Sequence, residues 1–263
     1  MIPKIIHFMW LDKKDPYKSG FPGKYADNIQ KWIELNPDAK VIMWNYKDIE
    51  DHFPEYMENI EKIPMWISKC DLARFLVLQK YGGIYSDLDF IPLKKLDDSV
   101  WNRDILVIKE PEEHVNKSKG DRLFNGFVGS KPEHPFIEGW IRKMQHYIDT
   151  TDYWDVMDTT GPVSFNRYYK ENPIAQLDPG DACRFIPVVC PVENNPLKKF
   201  YVKPECETVE PFCYTRWVDG TGWGLSGIGY KINYYKYYII SVLILILFII
   251  YIWRSRKSKK SRK

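Results

Sequence analysis

The chain has 263 residues, long enough for one sizeable domain or two small ones. Its formal net charge of +3 misleads, because residues 254–263 hold seven Lys or Arg and no acid, and without them 31 bases face 35 acids. That mildly acidic body argues against nucleic acid as a partner, while the 16% aromatic content suits stacking on sugars and bases as well as a dense core.

Strand-like runs fall at 4–10, 41–45, 84–91, 105–108 and 126–130. Helical patterns fall between them at about 25–35, 47–58, 66–81 and 135–149. Such alternation predicts an α/β sheet with ligand sites at the strand ends. The stretch 109–122, rich in Lys, Glu and Asp, reads as an exposed loop. From residue 172 onward Pro and Gly are frequent, so regular structure should thin out and supply a loop over the site.

Residues 82–92, Gly-Gly-Ile-Tyr-Ser-Asp-Leu-Asp-Phe-Ile-Pro, carry the strongest chemical signal. Asp87 and Asp89 stand two apart in a run that reads as a buried strand, so alternation predicts that both carboxylates share one face. Two such groups repel each other and lose hydration, and a hard divalent cation, Mn2+ or Mg2+, relieves both problems. Taken alone, an Asp-x-Asp pair reads equally as a solvated loop or strand edge. The preceding Gly-Gly fits the end of a helix over 66–81, for which Ser68 is a candidate cap. Asp71 and Arg74, three apart on that apolar helix, read either as an intrahelical ion pair or as ligands for a sugar hydroxyl and a phosphate.

Residues 237–253 carry no charge and span about 26 Å as a helix, enough for a thin bilayer. Tyr230, Tyr234, Tyr235, Tyr237 and Tyr238 crowd one end and Trp253 the other, and the polybasic tail 254–263 follows at once. This predicts a single C-terminal transmembrane helix. With no signal peptide visible, insertion after synthesis would leave the domain in the cytosol, whereas the positive-inside tendency would place it in the lumen. Cys183, Cys190, Cys206 and Cys213 lean towards the lumen, since their spacing allows two disulfides and a gap of six between partners is wrong for common zinc frameworks. Cys70 reads as a core residue, and Asn116-Lys-Ser118 is a weak glycosylation pattern.

The run Ser68-Lys-Cys-Asp-Leu-Ala-Arg-Phe, six residues, then Gly-Gly-Ile-Tyr-Ser-Asp-Leu-Asp resembles the sugar-binding region of family 32 glycosyltransferases. Ile2–Trp10, Trp32 through Trp44, Asn125–Phe136 and Thr159–Pro162 look like further landmarks of that family, in order over about residues 1–225. The resemblance implies a GT-A nucleotide-sugar-binding fold, a Rossmann-like mixed sheet flanked by helices, over residues 1–230. It implies metal-dependent, retaining transfer of a hexose, mannose favoured, from a nucleotide-sugar, with GDP-mannose favoured over a UDP-sugar. The acceptor would be a sphingolipid or glycan hydroxyl at an ER or Golgi membrane. Carried over by position, Asp87 and Asp89 belong to the metal and donor diphosphate, and Asp71, Arg74 and Tyr85 to the donor sugar or phosphate. Trp10 resembles the aromatic that stacks on the base, and Asn125 sits in the segment approaching the donor sugar. The pattern departs at Tyr214–Trp223, where Arg216 stands in place of the family's His and Gly222 in place of a Ser before Trp223. Arg216 would bind the diphosphate directly and Asp219 is a candidate third metal ligand; the same segment also reads as an ordinary loop with core tryptophans. The departure motivates a second expectation, a catalytically weak nucleotide-sugar-binding membrane protein.

Overall fold

A strand that opens the chain and is buried along most of its length must sit inside a sheet covered on both faces. In the computed structural model β1 (Ile5–Met9) is that strand, with four of its five residues buried. The structure describes residues 1–12, 15, 21–110, 123–152, 154–174, 181–189 and 201–215. Residues Met1–Val218 form one unit and Asp219–Lys263 a second, which lies outside the described residues. The expected membrane helix at 237–253 and the tail 254–263 fall in that second unit. Among the described residues no helix is long and apolar enough to cross a membrane.

After β1 come α1 (Ala26–Leu35), β2 (Lys40–Trp44), α2 (Tyr46–His52), α3 (Met57–Lys62), α4 (Trp66–Tyr81) and β3 (Gly83–Ser86). Then follow β4 (Phe90–Pro92), α5 (Asp98–Trp101), β5 (Ile105–Lys109), β6 (Leu123–Ser130) and α6 (Pro135–Thr150). The described chain continues with α7 (Val156–Thr159), α8 (Pro162–Glu171), α9 (Asp181–Phe185), β7 (Val188–Val189), β8 (Tyr201–Val202) and β9 (Cys213–Thr215). The described elements beyond residue 172 are short, as the Pro and Gly content predicts.

The main sheet has the order β2-β1-β3-β6-β5. β1 runs parallel to both β2 and β3, and β6 runs antiparallel to β3 and β5. The first crossover leaves β1 on one side and the second returns to its other side. The strand order therefore reverses between β1 and β3, and ligands in open α/β sheets bind beyond the carboxyl ends of strands at such a point. The register His7↔Tyr85 brings the ends of β1 and β3, and so Trp10 and Asp87, to the same edge.

Two expected elements are interrupted. The helix expected over 47–58 is two helices, because Phe53 leaves the helical region and Pro54 opens a separate short turn. The strand expected over 84–91 stops at Ser86 and resumes at Phe90, where it pairs with β9 rather than with the main sheet. Ser68 does not cap α4: the cap position is Met65, and Ser68 is buried inside the helix, accepting a hydrogen bond from Trp154 Nε1 at 3.0 Å.

α4 is buried almost all round, with Phe75 against Trp140 of α6 and Phe165 of α8. Its end is fixed by Gly82, whose φ of +62° strains any residue with a Cβ, and a Cβ there would also lie 2.6 Å from Pro132. The Gly82 carbonyl accepts from His7 Nε2 at 2.8 Å, and His7 Nδ1 accepts from Trp44 Nε1 at 3.0 Å. The indole can only donate, so the proton of the neutral imidazole sits on Nε2. Burial holds the His7 pKa down at about 4.

Candidate active site

Asp87 and Asp89 sit at the carboxyl edge of the sheet, but on a turn. The last rung between β3 and its neighbour is the Asp87 N–H donating to the Gly126 carbonyl at 2.7 Å. Leu88 then turns into the core, 7% exposed, and the Phe90 N–H closes the turn on the Asp87 carbonyl at 3.3 Å. The strand alternation expected to put both carboxylates on one face therefore does not apply. What the turn achieves instead is an inward Leu88 flanked by two half-buried acids.

Arg74 reaches this turn from α4. Its guanidinium lies 3.1 Å from Asp71, 3.5 Å from Asp87 Oδ1, and donates to the Asn125 carbonyl at 2.8 Å. It also lies over the Tyr85 ring, 4.6 Å from the centroid, and the Tyr85 hydroxyl donates to Asp87 Oδ1 at 2.8 Å. Asp71 is fully buried and its two oxygens are both engaged: Oδ1 by Arg74 and by Asn125 Nδ2 at 3.0 Å, Oδ2 by the Thr160 hydroxyl at 3.0 Å. The expected residues Asp71, Arg74, Tyr85, Asp87 and Asn125 thus form one hydrogen-bonded network. Asp71 Oδ2 keeps acceptor capacity, but the side chain is fully buried, so contact with a donor sugar requires the groups covering it to move.

The electrostatics follow from burial. Loss of water raises the Asp71 carboxyl to about 6, although Arg74, Thr160 and Asn125 pull it down. Burial also opposes the charge on Arg74, but Tyr85, Asp87 and Asp71 outweigh it and its pKa lies above the ordinary value. For Tyr85, burial dominates; Arg74 offsets it in part and Asp87 reinforces it, so the hydroxyl stays protonated and remains a donor.

Three residues that carry the site had no role assigned from sequence, although Gly126 and Thr160 lie within the landmarks Asn125–Phe136 and Thr159–Pro162. Gly126 is required because a Cβ there would collide with Asp87 Oδ2. Thr160 belongs to a Thr-Gly-Pro run visible in the sequence, but its bond to Asp71 spans 89 residues. Asn28 on α1 donates from Nδ2 to the Leu88 carbonyl at 3.1 Å, across 60 residues. Trp10 follows β1 and packs partly buried near Tyr25, ring centroids 6.3 Å apart. Cys70, expected in the core, is half-buried, with its thiol pushed up to about 12 by burial. Arg216, Asp219 and Trp223 lie outside the described residues, which end at Thr215 paired with Phe90.

Among the described residues no group of three His, Cys, Asp or Glu side chains could hold a metal. Two half-exposed carboxylates on one turn suit Mg2+-like ions, which usually take one or two carboxylates and complete their shell with water and substrate phosphates. The donor set therefore fits a metal brought together with a diphosphate, rather than a metal caged by protein. A hollow of about 310 Å³ beside the edge strand β2, lined by Lys40, Trp44, Asp48, His52 and Tyr81 among others, includes neither acid.

Residues 22–106 match the family model described as a glycosyltransferase sugar-binding region containing DXD motif. This chain carries a glycosyltransferase sugar-binding region of the DXD type. Mannosyl phosphorylinositol ceramide synthase SUR1 of Saccharomyces cerevisiae is 29% identical over 181 residues, covering 65% of this chain and 42% of that protein. Inositol phosphoceramide mannosyltransferase 2 of Schizosaccharomyces pombe is 29% identical over 178 residues, covering 63% and 46%. The chain thus spans less than half the length of these curated relatives. Among solved structures, one titled PaToxG Glycosyltransferase aligns over 65% of this chain and 70% of its own, at 18% identity and a TM-score of 0.47. The matched sugar-binding region contains α1, β2, the α4 ion pair and the acid turn. Asn125 and Thr160, which complete the network, lie beyond it.

Proposed function

We propose that the protein is a metal-dependent, retaining glycosyltransferase of GT-A type that moves a hexose from a nucleotide-sugar to a lipid or glycan hydroxyl. Mannose is favoured as the sugar and GDP-mannose as the donor, because the relatives above are named for mannosyl transfer to inositol phosphoceramide. The observation that carries the reading is the network joining Arg74, Tyr85 and Asn125 to Asp87 at the switch point of a matched sugar-binding region.

Within that reading each residue has a distinct task. Asp87 and Asp89 would hold Mn2+ or Mg2+, which when bound supplies charge neutralisation for the departing nucleoside diphosphate. Arg74 is kept cationic by its acidic neighbours and is aimed at the same place, so it would pair with a donor oxygen. Tyr85 fixes the direction of Asp87. Asp71 holds Arg74 and Asn125 and would accept from a sugar hydroxyl once uncovered. Trp10, at the end of β1, would stack on the base. By the resemblance, Arg216 would bind the diphosphate, Asp219 would be a metal ligand and Trp223 a donor contact; all three lie outside the described residues. The acceptor hydroxyl would attack from the face the diphosphate leaves, so no protein general base is assigned.

The Cys183–Cys206 disulfide supports a lumenal domain, because such bonds persist in oxidising compartments. An anchor at 237–253 would then tether the enzyme beside an ER or Golgi bilayer carrying a sphingolipid acceptor.

The test is a screen of GDP-mannose and UDP-sugars for Mn2+-dependent hydrolysis by the full chain. Turnover of one donor, lost in Asp87→Asn, is expected. Undiminished turnover in Asp87→Asn contradicts the assignment. Donor binding without turnover in the native chain selects the weakly catalytic reading raised by Arg216 and Gly222.

A further inference from the structure

The acids sit on a turn, so something other than strand pairing must set their relative direction. The carbonyl midway between them, on Leu88, accepts from Asn28 Nδ2 at 3.1 Å. One helical turn along α1, Trp32 Nε1 donates to the Phe90 carbonyl at 3.2 Å. Residues four apart on a helix are about 6 Å apart along its axis. Carbonyls two residues apart are separated by at most about 7 Å. The helical spacing falls within that bound, and through these two hydrogen bonds α1 grips the turn at two points. On its other side the turn is held by the Asp87 N–H on the Gly126 carbonyl, where the absence of a Cβ leaves room for the Asp87 carboxylate.

We infer that Asn28 is a positioning residue for the acid turn, setting the angle between Asp87 and Asp89 at which a divalent cation and its diphosphate are gripped. This rests on the metal-dependent reading above. The division of labour on α1 supports it. Trp32 and Ile29 are buried and anchor the helix, whereas Asn28 is half-buried and contributes little to that packing. Groups that orient the side chains holding a metal typically change its affinity by ten- to a hundredfold when removed.

The experiment measures Mn2+ affinity by water-proton relaxation, with and without GDP, in the full chain and its variants. Asn28→Leu keeps the volume and removes the donor, Asn28→Ala removes both, and Asn28→Gln keeps a donor amide. The Leu and Ala variants should bind Mn2+ about tenfold more weakly. Their melting temperature should fall by no more than about 4 °C, the shift expected of one lost hydrogen bond in a domain of this size. Asn28→Gln should recover part of the affinity. In turnover assays the Mn2+ concentration for half-maximal rate should rise more than kcat falls, a split that general loosening of the fold does not produce. Unchanged Mn2+ affinity in the Leu and Ala variants, with binding lost in Asp87→Asn, overturns the role of Asn28 and leaves the metal reading standing. Native affinity in Asp87→Asn removes the metal reading itself, and this inference with it.

Discussion

At the scale of single residues, the site depends on a side chain that is missing. Gly126 lies against Asp87 Oδ2 and the Phe124 ring, and a Cβ placed there would meet both. Phe124 is a packed core ring and cannot retreat far, so the Asp87 carboxylate must move. Gly126→Ala is therefore expected to cut donor turnover at least about tenfold, through displaced geometry rather than lost charge. A kinetic comparison with Asp87→Asn checks this, and native turnover in Gly126→Ala would show that Asp87 does not need its present position. His7 gives a second test. Its pKa is about 4 in the folded chain, against about 6.5 when unfolded, so the unfolded state binds the extra proton between those values. Stability from the neutral imidazole is complete above pH 6.5 and is lost as pH falls towards 4, by about 3 kcal/mol in all. The stability gap between the native chain and His7→Gln should therefore narrow over that window when urea midpoints are compared. A gap independent of pH would show that His7 titrates normally. His7 and Gly126 fall within family landmarks, but the sequence assigns neither a task, because what each one does is set by residues far along the chain.

At the scale of elements, α4 shows what a sequence can and cannot give. Its length, its apolar character and its end at Gly82 follow from local pattern, and so does the face shared by Asp71 and Arg74, but that they pair with each other is shown only by the structure. The acid turn does not follow, because alternation of apolar residues reads through 84–91 without a break. Only the packing of Leu88 and the separate pairing of β4 with β9 reveal the bend. Pro54, by contrast, is a visible breaker that the helical reading of 47–58 overran. The ion pair on α4 is buried, so its removal is costly in one direction only. Arg74→Ala leaves Asp71 without its counter-charge and should destabilise the protein by about 3 kcal/mol. Adding Asp71→Asn should recover part of that loss, since the remaining amide still bonds Thr160 while the buried charge is gone. Additive losses in the double variant, measured by denaturant titration, would mean that the two side chains do not act as a pair. Activity should stay lost in both variants, because Arg74 faces Asp87 as well.

At the scale of the whole molecule, the question is what fastens the short elements after residue 172 to the sheet. Phe185 stacks on Phe212 at 5.4 Å and approaches Phe127 of β6 at 4.8 Å, so α9 enters the core. Arg103 forms a bidentate pair with the buried Asp181 at its start. Cys183 of α9 is bonded to Cys206, just before β9. The expected pairing across a gap of six, giving two bridges, does not form: Cys183 bonds Cys206 instead, and Cys213 is a free thiol buried beside the Phe185 carbonyl. Cys190 lies outside the described residues. The observed bridge closes an interval of 23 residues, for which restriction of the unfolded chain is worth about 3 kcal/mol. Because β9 lies along β4, directly after Asp89, the bridge also bears on the site. Dithiothreitol should lower the urea midpoint of the native chain to that of a Cys183→Ser, Cys206→Ser variant and leave the variant itself unmoved. The aromatic contacts of α9 do not depend on the bridge, so the reduced protein should remain folded and keep measurable donor turnover. Loss of cooperative unfolding on reduction would show instead that the bridge, and not Phe185 and Phe212, holds this segment in place.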